Sequence, residues 1–287
     1  MRSIPNIVKC WGLFLAIFWS QTFLFAQVSK EVLHLADSLA KETLEKEGLF
    51  TVLSGLKPIS TVEHFKFPID TTSKNLLSPE EASLQIQMLH ESLKLLSDEN
   101  IGFAIVPFKA VFSNSRSFQI LVYHRGSVQR AIQEYSEFFI KRGVLTETDP
   151  LSLLTMVEFE EKLDRFRAYG YLFGYPTHAV DFFVEAAKHE ETTGEFVKRS
   201  FFQIPVANSD TGRFVYALPE DEEPSTIDLE LKRKAGAILE TYKRIREEQL
   251  ALESDYPFLE LLKFIRENLS ECSCLSEKSF KFLEPVN

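Results

Sequence analysis

The 287-residue chain carries 32 Lys+Arg against 42 Asp+Glu, a formal net charge of −10, with 45% hydrophobic and 26% charged residues. That balance excludes a collagen, a disordered tail, a multi-spanning membrane protein and a disulfide-stapled miniprotein. It also argues against a nucleic-acid partner, because an acidic chain repels phosphate and lacks the counterion-release term that drives such binding.

Residues 1–26 read as a signal peptide: a basic start (Arg2, Lys9), an apolar run over Cys10–Trp19, a polar break at Ser20-Gln21-Thr22, and Ala26 before Gln27. Leu24 stands where a small residue is usual, so the exact cut is less sharply marked than the signal. The alternative is an uncleaved anchor, but Cys10–Ala26 is interrupted and falls short of the ~20 apolar residues a bilayer requires. Removing 26 of 287 residues, Arg2 and Lys9 among them, leaves 261 residues with 30 basic and 42 acidic side chains, net −12. Both tryptophans and Cys10 leave with it, and Phe carries the aromatic burial. The expectation is an exported chain, periplasmic or secreted, with no membrane attachment after cleavage. Residues 27–287 form one globular α+β domain, with 27–98 as a potential N-terminal helical segment.

Ser29–Lys46 has apolar residues at helical spacing and Gly48 as a stop. Leu49–Leu77 reads as irregular, with Gly55, Pro58 and Pro68. Ser78-Pro79-Glu80-Glu81 is a strong helix start, and that helix should run to about Ser97. Ile101–Phe108 and Ser117–His124 predict an antiparallel hairpin. Helices are predicted over Gly126–Arg142, Leu151–Phe173 and Pro176–Glu190, with Gly174-Tyr175-Pro176 as a break. A second hairpin spans Phe196–Ala207 and Arg213–Leu218, followed by the acidic loop Glu220–Glu223. A long helix capped by Ser225 or Thr226 runs to about Ser254, and Pro257–Leu269 is the last helix. Strands in adjacent pairs point to α+β: two β-hairpins in an antiparallel or mixed sheet packed with six or seven helices. Leu231, Ile238, Ile245 and Leu252 repeat every seven residues. Fewer than four heptads favour packing against the sheet, with a homo-oligomer through the 226–254 helix as the alternative.

Chemistry-bearing residues are sparse. Tyr169, Tyr171, Tyr175 and His178 crowd one stretch, and Asp181 follows His178 by three positions, on the same helical face. A carboxylate beside an imidazole suits acid–base work, and Tyr175 joins the two as a weaker candidate; the plainer reading is a helix corner filled with core aromatics. His124 and Arg125 end a strand, where side chains are sometimes catalytic but more often form a polar hairpin edge. Cys272 and Cys274 are the only cysteines after residue 26 and could close as a strained disulfide or redox pair. His189-Glu190-Glu191 lacks the second histidine of a zinc helix, no glycine-rich phosphate loop occurs, and Gly-x-Ser-x-Gly is absent, so neither cofactor nor metal is expected.

The stretch 121–183 of 287 resembles an uncharacterised bacterial family in which an LVYR-like strand and a helix precede a GIFLGYP-D-V-like segment. Leu121-Val122-Tyr123, Gly170, Leu172-Phe173-Gly174-Tyr175-Pro176 and Val180 fit, while His124 stands where the family has Arg, which falls one place later as Arg125. The resemblance implies a shared substructure and no catalytic residues. The functional expectation is a binding or interaction module for a small molecule or protein. The alternative is an exported hydrolase using His178 and Asp181.

Overall fold

The computed structural model describes residues 28–68, 78–112 and 115–269. Residues 1–26, expected to direct export, and the pair Cys272 and Cys274 therefore lie outside the described residues. In chain order the first elements are α1 (Lys30–Glu45), α2 (Gly48–Ser54), β1 (Ile59–Pro68), α3 (Pro79–Leu96), β2 (Ile101–Phe112) and β3 (Ser115–His124). Five helices follow: α4 (Arg125–Glu134), α5 (Ser136–Ile140), α6 (Pro150–Phe159), α7 (Lys162–Leu172) and α8 (Thr177–Thr193). The chain continues with β4 (Arg199–Val206), β5 (Ser209–Pro219), α9 (Thr226–Leu250) and α10 (Pro257–Leu269).

The class is α+β. The two hairpins do not share a sheet: β1, β3 and β2 form one antiparallel sheet in that order, and β4 and β5 form a second. Strand β3 is central because both faces of its Ile120-Leu121-Val122-Tyr123 run are apolar, the pattern of a strand buried on both sides. Alternation sends Ile120 and Val122 into one core with α1, α2, β4, β5, α9 and α10. Leu121 and Tyr123 enter a second core with α4 to α8. The sheet is thus a wall between two apolar masses.

Several elements differ from the sequence expectation. Residues 49–68, read as irregular, hold α2 and the edge strand β1. Gly55, at φ 61°, ends α2 in the left-handed region and so lets β1 turn back to pair with β3 from Ile59↔Tyr123 onward. The helix expected over Gly126–Arg142 breaks at Tyr135, and the one over Leu151–Phe173 breaks at Glu160-Glu161. At the second break the Lys109 Nζ donates to the freed carbonyls of Phe159 and Glu160 at 3.2 and 3.1 Å. Buried Glu158 beside it accepts from the Lys109 backbone N–H and from Tyr169 Oη. Helix α3 begins as expected, with a reciprocal capping box between Ser78 and Glu81.

Helix α9 spends its apolar stripe inside the chain: Ala235, Leu239, Tyr242 and Ile245 are buried, whereas Leu252, beyond the helix end, is 62% exposed. Tyr242 Oη and Arg246 Nε both donate to buried Glu45 of α1 at 2.7 Å, which fixes α9 to the first helix. Among the described residues no helix is long and apolar enough to cross a membrane.

Candidate functional site

A cleft of about 580 Å³ opens where the two cores meet. Its walls are the α2–β1 turn (Gly55, Leu56, Pro58), α4 (Ser127, Arg130, Ala131, Glu134), the α7–α8 turn, and the first turns of α8 and α9. Tyr175, in the α7–α8 turn, packs against both cores and lines the cleft between them. Two left-handed glycines shape the opening. A Cβ on Gly55 would sit 2.1 Å from Ser127 Oγ, and one on Gly174 (φ 73°) would sit 3.0 Å from the Leu56 carbonyl oxygen. These close approaches bring α2, α4 and α8 to one rim.

Behind Tyr175 lies the least expected group of the molecule. Lys57 is fully buried, with Nζ 2.7 Å from Glu47 Oε2 and 4.1, 5.1 and 5.2 Å from the ring centres of Phe214, Tyr175 and Phe173. Three aromatic faces and one carboxylate replace the water that the ammonium loses. Burial still dominates and pulls the Lys57 pKa below its ordinary value, with Glu47 pulling the other way. Burial, aided by the Glu47 charge, pushes the Tyr175 phenol up.

The predicted pair of His178 and Asp181 is not formed. Asp181 turns to Arg167 of α7, while His178 Nε2 lies 3.2 Å from Asp228 Oδ2 on α9. That approach is poorly aligned, so the buried Nε2 has no hydrogen-bond partner among the described residues. Asp228 is fully committed elsewhere. It accepts from Ser225 N–H and Oγ at 2.7 Å each, which caps α9, and from Tyr216 Oη at 2.5 Å. Burial alone would raise the Asp228 carboxyl, but the Tyr216 and Ser225 hydrogen bonds and nearby His178 outweigh it and hold the group below the usual carboxylate range.

His124 caps α4: its Nδ1 accepts from the Ser127 backbone N–H at 3.1 Å, which places the ring proton on Nε2. Burial and the Arg130 charge lower its pKa, in keeping with a neutral cap. Arg125 lies over the Tyr123 ring at 5.3 Å and is not a cleft residue. Of the sequence candidates, then, Tyr175 and His178 line the cleft, His124 touches it through Ser127, and Asp181 and Arg125 stand outside. Lys57, Glu47, Asp228, Arg130 and Lys234 were missed. The Ser225-x-x-Asp228 capping spacing was the one available signal for Asp228.

The stacked rings of Tyr135 and Tyr171, 3.7 Å apart and 3° from parallel, separate the cleft from a second hollow of about 540 Å³. Burial pushes the Tyr135 phenol up to about 12. The cations of the second hollow are ion-paired, Lys141 with Glu137, Arg142 with Asp164 and Arg167 with Asp181. Among the described residues no group of three or more His, Cys, Asp or Glu side chains is placed to hold a metal ion. No family model, curated protein or solved structure matches the chain.

Proposed function

We propose that this chain is an exported binding module that takes a small molecule into the cleft between its two cores. The observation that carries the reading is the cleft itself. It combines a volume of about 580 Å³, tyrosine and aliphatic walls, and a few charged groups on rigid helix turns, the usual make-up of a small-molecule site. The basic, then apolar, first 26 residues support export. The experiment uses N-phenyl-1-naphthylamine, a neutral dye that brightens in apolar surroundings. Thr177→Trp combined with Ile227→Trp places two indoles on exposed lining positions, Ile227 being 56% exposed, so the fold is spared while the cleft fills. The dye should brighten with the native chain and not with the filled variant, at equal circular dichroism. Equal brightening with both would remove the reading.

A second reading, an exported hydrolase, draws on one observation: His178 lines the cleft with a buried carboxylate, Asp228, 3.2 Å from its Nε2. It replaces Asp181 by Asp228 as the orienting group. Turnover of a panel of p-nitrophenyl esters that disappears in His178→Gln would favour it; no turnover, or turnover that survives the substitution, removes it.

A further inference from the structure

The start of α4 brings three polar side chains together in a fixed order. Ser127 is 3% exposed and lines the cleft, and its Oγ lies 3.2 Å from His124 Nδ1 and 2.8 Å from Arg130 Nη2. A guanidinium only donates, so Oγ accepts from Arg130. Nδ1 accepts from the Ser127 backbone N–H at 3.1 Å and so carries no proton, which directs the single hydrogen of Oγ to the imidazole. Gly55 lacks the Cβ that would stand 2.1 Å from Oγ, which leaves room beside the hydroxyl. Helix capping accounts for the bond from the Ser127 N–H. It does not call for a hydroxyl on the same imidazole nitrogen, nor for a guanidinium on that hydroxyl. A serine hydroxyl that donates to a neutral imidazole has the base that an activated nucleophile needs.

We infer that Ser127 is the nucleophile of an ester-cleaving site in the cleft, with His124 as its base and carboxylic esters of aliphatic acids as substrates. The inference rests on the reading of the cleft as the binding site and makes no use of His178. Leu56, Pro58, Ile227 and Leu231 supply aliphatic wall for the acyl chain. Oγ attacks the ester carbonyl carbon while its proton passes to Nδ1. Once protonated, Nδ1 no longer accepts from the Ser127 N–H. That donor, at the positive end of α4, and the Arg130 guanidinium then stabilise the carbonyl oxygen that has become negative. The C–O bond breaks, the leaving alkoxide takes the proton from Nδ1, and the acyl group stays on Oγ. Water then attacks the acyl carbon and gives a proton to Nδ1; that proton returns to Oγ as the carboxylic acid departs.

The probes are diisopropyl fluorophosphate, which forms a P–O bond to an activated serine as fluoride leaves, and p-nitrophenyl butyrate. The full chain should take one phosphoryl group, located on Ser127 by tandem mass spectrometry, and should hydrolyse the ester. Ser127→Ala should lose both reactions. His124→Asn keeps an oxygen acceptor for the Ser127 N–H, so α4 stays capped, yet both reactions should slow by about a hundredfold, as for the loss of a positioned base. Burial and the Arg130 charge hold the His124 pKa below its ordinary 6.5, with Asp98 opposing them. The native rate should therefore fall off only in solution more acid than that value, and this limb should vanish in His124→Asn. No label on Ser127, label that forms as fast in His124→Asn, or ester turnover that survives Ser127→Ala overturns the inference. A native chain that still brightens N-phenyl-1-naphthylamine then leaves the cleft reading standing, whereas one that neither brightens the dye nor takes the label overturns both.

Discussion

Breaking the Lys57–Glu47 pair offers the sharpest test of how the floor of the cleft is held. Lys57 has no exposed surface, and Glu47, at 14% side-chain exposure, is its carboxylate partner at 2.7 Å. Glu47→Gln leaves a buried ammonium among three rings, and removing one partner of such a pair costs about 3–5 kcal/mol. The cost has a ceiling. Deprotonating an amine of ordinary value 10.5 at pH 7 takes about 1.4 kcal/mol per unit, or roughly 5 kcal/mol over the interval. The sign follows from burial: a folded-state pKa below the unfolded one means that the native chain holds fewer protons, so stability rises with pH between the two values. In Glu47→Gln the folded value falls further, so that rise begins at lower pH than in the native chain. The deficit of the variant should therefore shrink from pH 7 to pH 9, by at most about 1.4 kcal/mol per unit. Lys57→Met leaves the Glu47 carboxylate, at 14% exposure, without its partner and should also destabilise the chain. The double variant Glu47→Gln with Lys57→Met removes both charges and should stay within about 1.5 kcal/mol of the native chain. Urea unfolding at three pH values, at constant m, measures all four corners of the cycle. A deficit in Glu47→Gln that does not change with pH, or a double variant as damaged as Glu47→Gln alone, would refute the account of a buried charge held by its partner.

Three further substitutions probe the supports of the cleft. Asp228→Asn should cost about 2–3 kcal/mol at neutral pH through lost charge-assisted bonds to Ser225 and Tyr216. Because the Asp228 carboxyl is held low, its stabilisation is present above the ordinary carboxylate range and lost as pH falls through the folded value, so urea midpoints of variant and native chain should converge in acid. Gly55→Ala should lower the melting temperature more than Gly143→Ala: both residues have positive φ, but only the Gly55 Cβ would meet Ser127 Oγ, whereas nothing lies within 4 Å at Gly143. Tyr169→Phe removes the 2.8 Å donor from Glu158, which is 4% exposed, and should cost about 1–3 kcal/mol in denaturant titration.

The parts of the fold that local patterning encodes were legible. Ser78-Pro79 with Glu81 gives a start at Pro79, the apolar alternation of β2 and β3 gives their hairpin, and Ser225 gives the cap of α9. What local pattern does not encode is an edge strand made by tertiary pairing. The run over β1, with Glu63, His64 and Lys66 exposed, is a strand because the backbone of β3 offers it a ladder. The breaks at Tyr135 and Glu160 are similar. Neither has a Gly or Pro to announce it, and at Glu160 a lysine from another element takes up the freed carbonyls. Helix propensity alone runs through both positions.

For the site, the glycines and prolines of the two turns were visible only as breaks, since sequence spacing cannot say that Gly55 and Gly174 meet across 119 positions at one rim. The choice of partner for His178 makes the physical point most clearly. Spacing by three on a helix puts Asp181 and His178 on one face, but an exposed pair of that kind is worth only a few tenths of a kcal/mol. Arg167, reaching from α7 and shared with Tyr171 Oη, offers Asp181 a charge-assisted bond that the imidazole cannot match. His178, in the first turn of α8, is left facing the cap of α9, where Asp228 is held by three donors of its own. A weak local preference therefore yields to a stronger distant one, and the carboxylate next to the imidazole is supplied by the helix cap of a different element.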